Sequence, residues 1–384
     1  PGPAVQENVF DTPWGKCGLL ICSDTYHSLP ARTAAMRGAA MILIPSNWPP
    51  TGSFPEEVWR FRAMENGVWL ACANRTGDEL NFDCRECESY FVDPAGNIAA
   101  RLKNPDSLLL THEIPLTPSG DIDSGTRREE ILESRTPWLW HRLYANLAFF
   151  RDITAGFKLP QAGPTELHLV CPGKGKNPAD ALEAGASKLA PGSVAVLPLW
   201  EWTPPDLERA GRIARDRGAA ILTAEPDRAE EGEEESGDRT YILISGEGTE
   251  RVPQPFDRPE PLMHLGTLAA EPVRMADMLH PEAALSAAKR GCDILIAMER
   301  ELGADDLFTV SMRPIDQAAC CVCAQDGAGL GMVPEGHSPG AGAAIREPGW
   351  LTFTVDSDPL RRKRFQDRID FELLFREKGT GPWD

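Results

Sequence analysis

The stretch Ile21–Trp48, ICSDTYHSLPARTAAMRGAAMILIPSNW, carries groups able to do chemistry at both of its ends. The apolar run Gly18–Ile21 delivers a thiol, Cys22, and breaks at once into Ser23 and Asp24. A cysteine at the C-terminal end of a buried strand, followed by a turn and a helix, stands where an α/β fold presents a reactive group. The helix start supplies backbone N–H groups and a dipole that stabilise a thiolate or an oxyanion. The plainer alternative is a buried cysteine packing as a small hydrophobe. Asp24 requires polar surroundings directly after the strand. Arg32 follows at a spacing that lets the helix start carry it back towards that carboxylate. Asn47 and Trp48 close the second strand, and an amide beside a large aromatic can line a small pocket and orient a carbonyl or amide. His27 would have to fold back from the turn to serve Cys22 as a base, with no partner acid in evidence, and so reads as a helix-start histidine.

The rest of the chain must position these groups. Its 384 residues suffice for two domains of ordinary size, and 42% hydrophobic with 25% charged residues describe a globular protein. A formal charge of −19 argues against attraction to nucleic-acid phosphates or anionic lipid, leaving small uncharged substrates or protein partners. No apolar run has the roughly 18 residues needed to cross a bilayer and no signal-peptide pattern opens the chain, so the reading is a cytoplasmic protein with no membrane partner. Most of the ten cysteines sit in apolar strand-like runs, as a reducing compartment allows. Cys84 and Cys87 form a CxxC, but a structural zinc site needs a second pair at similar spacing, so no metal or cofactor is assigned.

Apolar β-rich runs recur at 18–22, 41–45, 68–73, 89–93, 167–171, 194–198, 219–224, 240–244, 265–269, 292–297, 318–324 and 350–355, with helical patterns at 30–38, 55–67, 178–189, 205–217 and 280–290. Such alternation indicates α/β architecture. A charge-rich loop at 226–239 interrupts it. An aromatic-rich helix and a Pro/Gly linker at 136–165 place a domain boundary near 160, giving domains 1–160 and 161–384. The halves repeat: GLLICSD, RGAAMILIPSNW and the run to DPAGNIAA in the first are echoed from Gly266 by GTLAAEP, KRGCDILIAMER and SMRPIDQAACCVCAQDG, with Gly291 matching Gly38. The second half starts about a hundred residues before its Gly266, the first only shortly before Gly18, and by that comparison several strands and helices of the first copy precede Pro1.

With these motifs in combination, GLLICSD, RGAAMILIPSNW, RAMENGVWLACANRTG and DPAGNI, the first 135 residues resemble the carbon–nitrogen hydrolase (nitrilase) superfamily, and residues 165–375 resemble the same fold at lower similarity. The resemblance implies an α-β-β-α sandwich present twice in one chain, the first copy incomplete. It implies hydrolysis of an amide, nitrile or N-carbamoyl substrate without a cofactor. In that scheme the cysteine attacks the carbon of the C–N bond, a Glu moves protons and a Lys stabilises the tetrahedral intermediate. Cys22 matches the nucleophile, and the Ser23 backbone N–H joins the oxyanion site by analogy. Ser23, Asn47 and Trp48 are carried over to substrate binding, with Asp24 and Arg32 in support. The Glu and Lys would fall upstream of residue 1.

Two departures touch substrate class: Ser23 replaces an aromatic, and His27, Ser28 and Leu29 replace Phe-Pro-Glu. In the second copy Ala270 stands for the cysteine, Leu199 for the Glu, with Glu201 two residues on, and TERVPQPF holds no lysine. That copy reads as non-catalytic, and Asp293, Glu299 and Arg300 as solvated or salt-bridged strand ends. A degenerate internal copy can replace or supplement a partner chain, so intrachain pairing and a homo-oligomer both stay open. A catalytically idle scaffold or interaction protein is the alternative to an enzyme.

Overall fold

The computed structural model describes residues 8–49, 54–79, 82–137, 158–226, 239–253, 262–316, 318–335, 338–361, 364–366 and 369–370. The aromatic stretch from 138 onward and the charged loop 227–238 lie outside the described residues. The chain divides into two units, Pro1–Thr136 and Pro137–Asp384, a division ahead of the boundary near 160 that the linker composition suggests.

The first unit is built on one six-stranded sheet. Its chain order is β1 (Val9–Thr12), β2 (Gly15–Leu19), α1 (Ser28–Met36), β3 (Met41–Ser46), α2 (Pro55–Asn66), β4 (Trp69–Asn74), a small hairpin of β5 (Asp78–Glu79) and β6 (Phe82–Asp83), β7 (Glu88–Val92), β8 (Ile98–Lys103) and α3 (Arg127–Glu133). The sheet order is β1-β2-β3-β4-β7-β8, with β2, β3 and β4 parallel and the outer pairs antiparallel. Pro55 opens α2 and Gly67, at φ 61°, ends it, as the fixed φ of proline and the left-handed freedom of glycine favour. Along β3 burial alternates: Ile42 and Ile44 are buried, whereas Met41 and Leu43 are half-buried and Pro45 is exposed. Period-2 alternation of this kind marks a sheet covered on one face.

The second unit stacks two six-stranded sheets. One is formed by β9 (Pro164–Cys171), β10 (Val194–Leu199), β11 (Ala220–Pro226), β12 (Arg239–Ser245) and β13 (Gly248–Pro253), joined at its edge by the later β20 (Gly349–Asp356), with α4 (Pro178–Gly185) and α5 (Pro204–Arg217) between its early strands. The other holds β14 (Met263–Leu265), β15 (Leu268–Val273), β16 (Ile294–Glu299), β17 (Ala319–Ala324), β18 (Gly329–Glu335) and β19 (Ser338–Ile345), with α6 (Met275–Met278), α7 (Pro281–Lys289) and α8 (Ala304–Met312). Leu167, Val194, Val196 and Leu222 of the first sheet share a buried core with Ala270, Ile294, Ile296 and Cys321 of the second. Leu182, Ala210 and Ala214 of α4 and α5 cover the outer face of the first sheet, and Ala284, Ala287 and Val310 of α7 and α8 cover that of the second. The layers run helix, sheet, sheet, helix: an α-β-β-α sandwich.

The sheet β14-β15-β16-β17-β18-β19 repeats the pairing of the first unit strand for strand, antiparallel, parallel, parallel, antiparallel, antiparallel. The registers align the copies residue by residue. Cys17 pairs with Met41 and Ala270 with Ile294, and both partners stand three residues after a glycine of positive φ, Gly38 at 94° and Gly291 at 88°. Ala270 is therefore the counterpart of Cys17, and five residues on from each come Cys22 and Met275. The sequence match at Ala270 is corrected to Met275, because the strand leading to Cys22 ends at Leu19 and not at Cys22.

Candidate active site

After Leu19 the ladder continues only through the Leu20 N–H, which donates to the Leu43 carbonyl at 3.0 Å, and Cys22 opens a 3-10 turn, Cys22–Tyr26, leading into α1. Cys22 holds φ 46°, a left-handed conformation that few side-chain-bearing residues adopt and that signals a site where geometry is imposed. Three bonds impose it locally. The Ile21 N–H donates to the Asp24 carboxylate at 2.9 Å, the Asp24 N–H to the Ile21 carbonyl at 2.9 Å, and the Thr25 hydroxyl to the Cys22 carbonyl at 2.8 Å. Asp24 thus caps the turn that carries the thiol. His27 takes the N-cap position of α1.

Of the ten cysteines, all free, nine are buried and Cys22 is the one half-exposed. Burial holds the thiols of Cys72, Cys320, Cys321 and Cys323 above their ordinary range, and pushes Cys171 up to about 12. Such thiols stay protonated and unreactive near neutrality. The Cys22 thiol lies 3.8 Å from the Asn47 backbone oxygen, so the structure brings the nucleophile candidate to the wall expected to face it. Among the described residues the backbone N–H groups of Cys22 and Ser23 have no acceptor, and no carboxylate or ammonium bonds the Cys22 thiol.

The wall is held from behind. The Trp48 N–H donates to Asn74 Oδ1 at 3.0 Å while Asn74 Nδ2 donates to the Trp48 carbonyl at 2.9 Å. Trp48 is buried, its ring 4.3 Å from that of Tyr26 at the end of the nucleophile turn and edge-on to Trp59 at 5.7 Å. Asn47 is exposed. Below the turn lies a fully buried ion pair on α2, Arg62 with Glu65. Arg62 Nε donates to the Thr25 carbonyl at 2.8 Å and Nη2 to the Tyr26 carbonyl at 2.9 Å, which clamps the turn from inside. Arg32, also buried, donates to the Glu65 carbonyl at 2.8 Å, so it reaches α2 and not, as its spacing suggests, the Asp24 carboxylate, which takes the Ile21 N–H. Arg62, Glu65 and Asn74 escape a reading of the motif near Cys22. Their signal is a pair of charges three apart on the apolar face of RFRAMEN, where an unpaired charge would be costly.

The second unit keeps the clamp and loses the site. Buried Arg313 pairs with Asp316 at 2.6 Å and donates to the Leu279 carbonyl at 3.2 Å, the counterpart of Tyr26. At the position matching Cys22 the Met275 N–H donates to Glu299 at 2.9 Å, and Glu299 accepts from both terminal nitrogens of Arg239 at 2.8 and 2.7 Å. Asp293 is bound by Arg361 at 2.7 Å, and Arg300 approaches the exposed Glu201 at 3.6 Å. Ala324 replaces Asn74, following the β16–β17 register.

Among the described residues no three His, Cys, Asp or Glu converge as a metal site, and no helix is long and apolar enough to cross a membrane.

Residues 1–121 match the carbon–nitrogen hydrolase family. Relatives include a probable nitrilase of Schizosaccharomyces pombe, 29% identical over 138 residues (35% of this chain, 49% of the relative), and deaminated glutathione amidase of Homo sapiens, 31% over 152 residues (38% and 43%). An omega-amidase of Mus musculus is 29% identical over 109 residues, 28% of this chain and 40% of the relative. By these matches the first unit belongs to the carbon–nitrogen hydrolase, or nitrilase, superfamily. The chain spans about half the length, or less, of these relatives. A carbon–nitrogen hydrolase superfamily protein of Xanthomonas campestris of known structure gives a TM-score of 0.42 at 14% identity, over 58% of this chain and 100% of its own.

Proposed function

We propose that the first unit hydrolyses a non-peptide C–N bond, in an amide, nitrile or N-carbamoyl compound, with Cys22 as nucleophile. The observation that carries this is Cys22 itself: the half-exposed thiol among ten, held at positive φ on a capped turn, beside two backbone N–H groups that have no acceptor among the described residues. For an amide, the Cys22 sulfur attacks the carbonyl carbon and its proton passes to a general base. The N–H of Ser23 receives the developing oxyanion. Collapse releases the amine, protonated by the same base, and leaves a thioester. Water then adds, the acid departs and the thiol is restored. Asn47 and Trp48 form one wall of the substrate space, and Asp24 and Arg32 support the turn. The amidases and probable nitrilase that the first unit resembles support this class.

The general base Glu and the Lys are assigned to a segment upstream of residue 1. The partly exposed sheet face of the first unit supports this, since the matching face of the second unit is fully covered by another sheet. The second unit is a non-catalytic tandem copy, as Met275 cannot attack and Glu299 takes the backbone N–H at that position. The ten free thiols accord with a cytoplasmic location. A second reading, an idle scaffold, is favoured by one observation: among the described residues no base or ammonium bonds Cys22.

The test is intact-mass analysis with a panel of amides, nitriles and N-carbamoyl compounds, comparing this chain with one carrying roughly a hundred further upstream residues, the length that the repeat suggests. The longer protein should form an acyl adduct on Cys22 and turn over, while residues 1–384 should not. Turnover that survives Cys22→Ala removes the assignment, and a longer protein that neither acylates nor turns over favours the scaffold.

A further inference from the structure

The CxxC pair has no part in the chemistry above, yet both of its thiols are spent on the wall that faces Cys22. The turn is fixed by the Cys84 N–H to the Gly77 carbonyl at 2.8 Å and the Cys87 N–H to the Cys84 carbonyl at 3.1 Å. Cys84, fully buried, donates its S–H to Asn47 Oδ1 at 3.2 Å. Cys87, 5% exposed, donates to the Trp48 carbonyl at 3.2 Å, the oxygen that also takes Asn74 Nδ2. Adjacent residues of the wall, Asn47 and Trp48, are thus each gripped by one thiol of the pair. Burial and the neighbouring Cys84 push the Cys87 thiol up to about 12, so it stays a protonated donor near neutrality.

We propose that Cys84 and Cys87 are positioning residues for substrate recognition: they fix the Asn47–Trp48 wall from behind, with the Asn47 carbonyl oxygen anchored on Cys84 and its Nδ2 left as the donor offered to the carbonyl oxygen of a substrate amide. This rests on the hydrolase reading and narrows it to substrates with a carbonyl acceptor beside the scissile bond. An Asn amide has one acceptor and two N–H donors, so committing the oxygen decides which edge the substrate meets. A thiol suits the post, being small, apolar enough to be buried and a weak donor. The role differs from metal binding, because besides each other these thiols meet an amide oxygen and a peptide oxygen, and among the described residues no third His, Cys, Asp or Glu joins them in a metal-binding group.

The test needs no turnover, so it fails or succeeds separately from the hydrolase reading. In the full chain, the rate of Cys22 modification is followed by peptide mass spectrometry with two reagents: iodoacetamide, which carries an amide, and methyl methanethiosulfonate, which carries no carbonyl. Cys84→Ala should lower the iodoacetamide rate relative to the other reagent by about fivefold, the size of one ordinary hydrogen bond. Cys84→Ser, whose hydroxyl can donate in the same place, should recover most of the ratio, and Cys87→Ala should show a smaller drop. A merely structural role would change both rates together. Should Cys84→Ala fail to fold, Cys84→Val, similar in size and without a donor, carries the same expectation. An unchanged ratio in a folded donor-less variant overturns the proposal. So does one equivalent of zinc retained through dialysis by the parent chain and lost in Cys84→Ser.

Discussion

Strands β3 and β16 hold the same place in two sheets of the same pairing, and their surroundings differ completely. All residues of β16 but the last are buried, whereas β3 is buried only at Ile42 and Ile44. The second unit has its sheet covered on both faces and holds Met275 at the position matching Cys22, with the Met275 N–H taken by Glu299. The first unit keeps the thiol and a half-covered sheet, with N–H groups beside the thiol that have no acceptor among the described residues. What they share is the buried Arg–acid clamp under the turn, Arg62 with Glu65 and Arg313 with Asp316. A device present also where Met275 stands in place of the thiol belongs to the fold. Features present only beside Cys22, namely positive φ, the Asn74 bracket and the thiol grip on the wall, are those to connect with chemistry.

The sharpest break of the comparison is at the thiol. In the longer protein of the test proposed above, Cys22→Ala should reduce hydrolysis by about a millionfold, as loss of a nucleophile does elsewhere. Met275→Cys should not restore it in the second unit, because Glu299, held by Arg239, takes the backbone N–H at that position and sets a carboxylate beside it. Rates of product release with the same substrate panel decide both.

Ile296→Asp places a charge between two sheets and should cost more than about 4 kcal/mol of stability. At its counterpart Leu43, which is half-buried, the same change should cost about 1 kcal/mol or less in this chain. Urea unfolding compares them, and an equal cost would show that the Leu43 face is covered after all. Arg62→Met and Arg313→Met should each cost about 3 kcal/mol by taking its arginine partner from a buried carboxylate. A much larger loss for one of them would show that the clamp is not a shared device.

The smallest effect is with pH. Cys87 and Cys171 are each raised to about 12 in the folded protein. An unfolded thiol ionises near its ordinary value of about 8.5, so above it the unfolded state binds fewer protons and is favoured. The contribution of these thiols is complete below that value and fades as pH rises towards 12, which alkaline melting curves of Cys87→Ser and Cys171→Ser would reveal as a flatter decline.

The fold was legible where burial leaves a periodic trace. The runs at 41–45, 194–198, 292–297 and 318–324 are strands within a residue or two, and RGAAMILI against KRGCDILI revealed the repeat. The strand at 18–22 was placed late. An apolar run does not disclose where pairing stops, and the observed strand ends at Leu19 with Cys22 already in the turn. The same ambiguity put Ala270 opposite Cys22, an error of five positions that the registers at Met41 and Ile294 remove.

The sequence by itself determined the α/β alternation, the two related halves and the group of Cys22, Asp24, Asn47 and Trp48, because periodic burial and unusual residue types are local signals. Only the tertiary structure decided that Cys22 sits at positive φ, that Arg62 clamps its turn across 36 and 37 residues of chain, and that Cys84 and Cys87 reach back to Asn47 and Trp48. Those bonds join positions far apart in the chain, and such pairings are set by how the strands stack and register, which residue type and spacing do not encode.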